Sequence, residues 1–510
     1  METLSNEIWD VVIAGTSIPQ SLLALSLSRS GKKVLHVDRH PYYGGNDTGL
    51  SLQEAEEWVQ DVNKFPSAVF KDASISRPPL KESNEQAGNL QPSRTYTLSL
   101  KPQIVYAKSE FLPTIVSSRI HTQLEFLAVG SWWVHRDGAL HKIPSTREDV
   151  FNDESLSMKD KRGLMKFLRY VMQEGDESTT DVEEEHQMSL RAALTSKFKI
   201  PGSLQPPLLA LALSPVAADA IHFDTALARI RRHMRSMGYF GPGFPAVIAK
   251  YGGNSEISQV ACRAGAVGGG VYLLGHELTR LESPETSGTR PNGDGVSLIR
   301  GTLSDGTRIQ SRYVVGSLDD IPTLREIMPE MDLSNPTWRS ISIVADPLRA
   351  LFPQTSDNGP VPAVAIVLID AGAEDTDKSP VYLQIHSEDT GECPTGQCVI
   401  YASVVADDAS SKSRLEAAVN DFLDTCGTTP SLLWSLSYQV SGPAIDPASP
   451  SSFLRKNSSQ VLVFAPEPHD QSFHDGVLGA VKEAWKVVMG ADAADSTFLR
   501  FEDRESEVED

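Results

Sequence analysis

Four apolar residues at positions 11–14 run into Gly15, and Leu22, Leu23, Leu25 and Leu27 crowd the stretch that follows until Gly31. A second run then ends on Asp38. Short unbroken apolar runs are what parallel strands buried on both faces require, so the pattern predicts a β-α-β unit. Residues 51–65, "SLQEAEEWVQDVNKF", have helical spacing, whereas 74–94 are rich in Ser, Pro and Asn and read as a long surface loop. Alternation resumes at "FLAVGSWWVHRDGALHKIP", where Asp137-Gly138 marks a hairpin. The period then changes. Ser157 and Asp160 have capping spacing, and Leu164, Phe167, Leu168, Val171 and Met172 fall at i, i+3, i+4, i+7 and i+8. Helix continues to residue 237, broken by prolines, and strand patterns return at 268–274, 295–317 and 362–370. A strand and an amphipathic helix at 460–489 close the pattern.

These periods describe an α/β body, residues 1–147 and 226–490, interrupted by a mainly helical unit at 148–225 and followed by an acidic tail, 491–510. No repeat of fixed period is present.

Composition narrows the classes. The chain has 510 residues, 40% of them hydrophobic, and a net charge of −21. That balance argues against nucleic acid, whose phosphates need clustered Lys and Arg. The basic segment 229–235, "RIRRHMR", reads as a solvated helix flank, and the acidic stretch 174–185 as a solvated linker. Four cysteines form no disulfide framework, and Cys393 and Cys398 in "GECPTGQC" read as a turn. His135 and His141 read as exposed strand residues, and no metal site or catalytic constellation is expected. The start carries no leader pattern and the uncharged run 200–218 is cut by four prolines, so the expected location is cytoplasmic.

The first βα turn carries the most information. A dinucleotide fingerprint uses one glycine for the tight turn, a second for close approach of the pyrophosphate and a third for helix–strand packing. Here the motif is Gly15-Thr16-Ser17-Ile18-Pro19-Gln20. Gly15 keeps the first role, Ser17 puts a side chain where phosphate should lie on bare backbone, and Pro19 removes an amide near the helix start. Asp38 could still accept from a ribose. The damaged motif predicts a βαβ unit that holds no cofactor.

The segment "WDVVIAGTSIPQSLLALSLSRSGKKVLHVDRHPYYGG" resembles the N-terminus of the Rab GDP dissociation inhibitor and Rab escort protein family. Residues 241–274, "GPGFPAVIAKYGGNSEISQVACRAGAVGGGVYLL", resemble a second block of that family. The resemblance implies a fold like that of FAD oxidoreductases, with a Rossmann-type core, an added β-sheet and a smaller helical domain, but without flavin. Asn46 after "GG", and Pro466 and Glu467 in "VLVFAPEP", depart from the flavin-binding pattern in the same direction.

The resemblance further implies a Rab-binding platform of Tyr43, Glu256, Gln259, Arg263 and Leu273. It implies partners: GDP-bound Rab GTPases, the α/β heterodimer of Rab geranylgeranyl transferase, the geranylgeranyl group of prenylated Rab and, transiently, membranes. Within the family the stretch 100–134 looks more like the escort branch, an accessory and non-catalytic role. A recycling dissociation inhibitor is the alternative, and a flavin-dependent oxidoreductase a more distant one. An isoprenoid needs an apolar cleft, and Leu164, Phe167, Leu168 and Val171 are its candidate wall. Each assignment has a plainer counterpart: Tyr43 fits a cap on the βαβ turn, Glu256 and Arg263 fit surface charges two helical turns apart, and the stripe fits ordinary core.

Overall fold

The computed structural model describes residues 2–65, 67–77, 89–144, 156–173, 188–241, 243–282, 297–324, 328, 333, 335–354, 359–370, 378–427, 432–443 and 453–502. The acidic stretch 174–185, residues 148–155 of the helical unit and the tail beyond 502 lie outside them.

The β-α-β unit forms as its pattern requires. Strands Ile8–Ala14 and Val34–Asp38 pair in parallel across the helix Ile18–Arg29. That helix is buried from Ile18 to Ser28, which leaves its serines without water. They bond to the backbone instead: Ser21, Ser26 and Ser28 donate to the carbonyls of Thr16, Leu23 and Leu25. Along the first sheet, Val271–Leu274, Val34–Asp38, Ile8–Ala14 and Arg308–Ser317 lie side by side. The last of these forks. Its first half pairs antiparallel with Ile299–Leu303 and its second half parallel with Val461–Phe464. The helices Ile18–Arg29, Asn254–Val267 and Gly476–Met489 cover one face around the fully buried Trp485.

A second sheet of ten strands stands beside it. Its hairpin, Phe126–Arg136 with Ala139–Lys142, turns at Asp137 and Gly138, whose φ angles of 51° and 70° are the left-handed pair that the Asp-Gly spacing predicts. Much of this sheet was not visible in the pattern. Asn335–Val344, Val381–His386, Cys398–Val405 and Leu432–Gly442 are all strands, and Phe70–Ser76 takes the first residues of the expected 74–94 loop.

Among the described residues the helical unit has no core separate from the second sheet. Phe167, Val171, Leu194 and Phe223 share one buried cluster with Trp132, Val134, Ile366 and Tyr382 of the second sheet. The expected boundary at 226 cuts the helix Phe223–Ser236, so the helical layer extends to its end. The tail also begins later than 491. Leu499 is fully buried, Phe498 lies against Trp485, and the Phe501 amide donates to Ser117 O. Burial of these apolar groups holds the segment down to residue 501.

Two surface assignments from the pattern are overturned. His135 is buried, with Nε2 hydrogen-bonded to Thr425 at 2.8 Å. Arg229 and Arg232 are no solvated flank: Arg229 grips Asp470 through both terminal nitrogens, at 3.1 and 2.6 Å, and Arg232 lies over the Tyr106 ring. Arg229's partner Asp470 lies 241 residues away along the chain, and Ser472, which also accepts from Arg232, lies 240 away, beyond the reach of local pattern. Cys393 and Cys398 do flank a turn, closed by Gln397 N donating to Pro394 O, and burial pushes both thiols up.

Candidate functional site

Three places bear on function: a polar platform, the cleft beside the broken fingerprint at the first βα turn, and a cavity under the helical layer.

The platform stands on the helix Asn254–Val267 and the loop after Val34–Asp38. Glu256, Gln259 and Arg263 fall at i, i+3 and i+7, one face of that helix. With its amide turned as its neighbours require, Gln259 donates to Glu256 Oε2 at 3.1 Å and accepts from Arg263 Nη2 at 3.1 Å. Gln259 thus bridges the acceptor and the guanidinium fork into one row. Burial pushes the Glu256 carboxyl up, and Arg263 offsets part of that. Tyr43 is half-buried beside this row. Burial raises its phenol, with Cys262 adding to the rise and Arg263 opposing it.

The ring of Tyr272 meets Tyr43 edge-on, with centroids 6.4 Å apart, and rests on His36. Its hydroxyl presses on Gly265, where any Cβ would collide with it. Tyr272 therefore joins the platform, and the Gly-Gly-x-Tyr spacing was the signal for it. Leu273 does not. Strand side chains alternate between faces, so Leu273, paired with Val37, packs into the cluster on the sheet's other side.

The cleft is filled by the chain's own carboxylates. Gly15 makes the tight turn at φ 85°, and its amide donates to Val37 O. The Asp320 carboxylate packs where a Gly15 side chain would stand and accepts from Gln20 Nε2 at 3.0 Å. Asp47 is 2% exposed, and its Oδ2 accepts from the Ile18 amide at 3.0 Å. It thus takes the helix N-terminus, the position at which a pyrophosphate would bind. Lys101 holds Asp47 at 3.3 Å and Glu467 at 2.8 Å. Ser17 is the N-cap residue and spends its hydroxyl on the Asn46 amide.

Asp38 is spent as well, accepting from Thr16 at 2.6 Å and from the His40 amide at 2.8 Å. Burial pushes its carboxyl up, but the bonds from His40 and Thr16 outweigh this and hold it below its ordinary value. At Asp320 the bonds from Ser317 and the charge of Arg39 do not offset burial. Burial, with Asp38 nearby, pushes it up to about 6. The space left is about 70 Å³, well under the roughly 300 Å³ at which ligand pockets begin. A dinucleotide does not fit these residues, in volume or in charge.

The cavity differs on both counts. It holds about 580 Å³ between the hairpin of the second sheet and the helical layer. Leu164, Leu168 and Met172 line it from the helix Met158–Met172, opposite Trp132 and Ile143. The expected stripe therefore splits. Phe167 and Val171 point away, into the core, where Phe167 meets the Phe198 ring edge-on at 5.1 Å. His233 also lines the cavity, and burial with Arg232 beside it depresses its imidazole to about 3, while Arg136 and Lys142 bring positive charge to the lining.

The family model for GDP dissociation inhibitors matches residues 5–426. The chain belongs to the GDP dissociation inhibitor family. Among relatives, this family member is similar to Rab proteins geranylgeranyltransferase component A of Saccharomyces cerevisiae, at 29% identity over 80% of this chain and 64% of that protein. It is 28% identical to Rab escort protein 1 of Arabidopsis thaliana, over 58% of each. It is 24% identical to guanosine nucleotide diphosphate dissociation inhibitor 1 of the same plant, over 88% of this chain and 90% of that one. The chain spans 64% and 61% of the length of the component A relatives from S. cerevisiae and Candida albicans.

In fold, this GDP dissociation inhibitor family member is similar to a Rab GDI from Plasmodium falciparum, with a TM-score of 0.63 at 20% identity over 95% of this chain and 98% of that one. It is also similar to an oxidoreductase from Methanosarcina mazei, with a TM-score of 0.56 at 15% identity over 93% and 99% of the two chains. The fold is thus the one shared by Rab GDI and such oxidoreductases. Among the described residues no helix is long and apolar enough to cross a membrane.

Proposed function

We propose that the chain is a Rab escort protein: it binds newly made, GDP-bound Rab, presents it to the geranylgeranyl transferase heterodimer and shelters the added isoprenoid until delivery to a membrane. The observation that carries this reading is the joint presence of a polar row, Glu256–Gln259–Arg263 beside Tyr43, and a mainly apolar cavity. Tyr and Arg are the side chains that dominate interface energetics. Burying an isoprenoid of roughly twenty carbons, at about 0.8 kcal/mol per methylene, rewards a dry cavity strongly. Relatives that carry the name component A or Rab escort protein support the escort role, and the carboxylate-filled cleft supports an accessory, flavin-free protein.

A recycling dissociation inhibitor is the second reading. The Arabidopsis dissociation inhibitor favours it by matching along nearly its whole length. Reconstitution separates the two. Purified chain, Rab-GDP, transferase and labelled geranylgeranyl diphosphate should together yield prenylated Rab, and omission of the chain should abolish the product. Binding of prenylated Rab with no support of prenylation would leave the recycling reading standing and remove the escort one.

A further inference from the structure

The two arginines at first assigned to solvent connect the cavity wall with the start of the platform helix. On the helix Phe223–Ser236, His233, Met234 and the adjoining Met237 face the cavity. One turn earlier Arg229 grips the Asp470 carboxylate, and Arg232 donates to Ser472 Oγ at 2.5 Å. The backbone carbonyls of these same two residues accept from Gln103 Nε2, at 3.2 Å from Asp470 and 3.5 Å from Ser472. Gln103 Oε1 in turn accepts from Asn254 Nδ2 at 3.0 Å. Asn254 is the first residue of the helix that carries Glu256, Gln259 and Arg263.

We infer that Gln103 and the Asp470–Ser472 segment are positioning residues that couple the two sites, so that a chain seated in the cavity strengthens the grip on the GTPase. This rests on the proposed Rab-binding function and deepens it. Gln103, Asn254, Asp470 and Ser472 are all at most 4% exposed, so no water can take up slack when one of them moves. A guest that displaces Met234 and Met237 moves their helix, and with it the two arginines. The segment 470–472 follows, because both its side chains and its carbonyls are held. Gln103 then carries the shift to Asn254. Reciprocity requires that occupation of the platform tighten the cavity by the same factor.

Thermodynamic coupling in the full-length chain tests this. The probe for the cavity is a fluorescent peptide bearing a geranylgeranyl cysteine, and the probe for the platform is unprenylated Rab-GDP. Saturating Rab-GDP should raise the affinity of the wild-type chain for the peptide about fivefold or more, the lower range of measured couplings. Gln103→Met, similar in volume, should bring that factor to about one, with each probe binding alone as before. Asn254→Ala cuts the chain at its other end and should do the same if Gln103→Met folds poorly.

A factor of one in the wild-type protein, with both probes binding, would overturn the coupling alone. A factor unchanged in both variants would overturn it too. Equal weakening of both probes together with a lower melting temperature would assign Gln103 a merely structural part. Failure of the wild-type chain to bind either probe would remove the function beneath the coupling, and the coupling with it.

Discussion

The cleft at Gly15 and the cavity at Leu168 are both gaps between packed layers, yet they have gone opposite ways. The cleft is closed by charge. Asp47 sits on the helix N-terminus, Asp320 against Gly15, and Lys101 clamps Asp47 to Glu467. The cavity is lined mainly by apolar side chains, Leu164, Leu168 and Met172 among them, with a depressed histidine and two cations, Arg136 and Lys142, beside them. Both gaps lie in one scaffold, whose fold is shared with such oxidoreductases. What changes is which groups meet in each gap. A carboxylate at an anion site excludes phosphate by occupation and repulsion, whereas an apolar gap stays dry and admits hydrocarbon.

The largest effect should come from the side of the stripe that does not face the cavity. Phe167 is fully buried among Phe198, Tyr170 and Leu194. Phe167→Ala should cost about 3–5 kcal/mol of stability, as large-to-small changes in cores do. Thermal and denaturant unfolding should register it, and binding of prenylated and unprenylated Rab should then fall together. A loss confined to the prenylated form, at wild-type stability, would exchange the two faces of the helix and collapse the contrast with Leu168.

The cleft should show itself in the dependence of stability on pH. Asp320 titrates near 6 when folded and at 3.8 as a free side chain, so the folded state holds its proton more tightly. Its contribution is therefore most favourable below 3.8 and turns into a penalty as pH rises through 6. At 1.36 kcal/mol per unit that penalty is about 3 kcal/mol above the window. Asp320→Asn, which cannot ionise, should gain in melting temperature over wild type from pH 4 to pH 7. A difference that stays constant over this range would mean that Asp320 is not held in a dry, carboxylate-rich cleft.

On the other side of the comparison, charge should do in the cavity what it already does in the cleft. Leu168→Arg places a guanidinium on the wall, where an isoprenoid would have to desolvate it. Affinity for geranylgeranylated Rab should fall a hundredfold or more, about 2.8 kcal/mol. Unprenylated Rab should lose less than twofold. The ratio of the two affinities, measured by titration, is the decisive quantity.

How much of this was written in the chain depends on distance. The βαβ unit and the Asp137-Gly138 hairpin are set by near neighbours, and pattern alone located them, whereas the row Glu256–Gln259–Arg263 was legible only through the family resemblance. The face of Leu273 also followed from alternation, had it been counted against Tyr272. The split of the stripe could not be read. Leu164 and Leu168 are as apolar as Phe167 and Val171, and only the packed layers decide which pair faces empty space. Local pattern reads Arg229 and His135 as solvent-facing, because their partners, Asp470 and Thr425, come from remote segments. The strands of residues 335–442 carry serines such as Ser340 and Ser342 at buried positions, which masks the apolar run a central strand usually shows.

The smallest effect, and the one that separates platform from cavity most cleanly, is expected at Arg263. Arg263 is exposed, and its Nη2 donates to Gln259 at 3.1 Å. Little of the fold leans on it, so Arg263→Ala should leave the melting temperature unchanged. What it removes is a planar set of donors for a partner's carboxylate or carbonyl, the kind of group whose truncation often costs 2 kcal/mol or more at an interface. Rab-GDP affinity should drop at least tenfold, about 1.4 kcal/mol, chiefly through faster dissociation. Tyr43→Ala and Glu256→Ala should follow it. The contrast with Leu168→Arg lies in the ratio: prenylated and unprenylated Rab should lose equally, because the isoprenoid never meets this surface. Wild-type Rab affinity in all three variants, with the protein folded, would place the binding face elsewhere. A loss confined to prenylated Rab would instead mean that the platform and the cavity are one site, and the comparison between them would no longer hold.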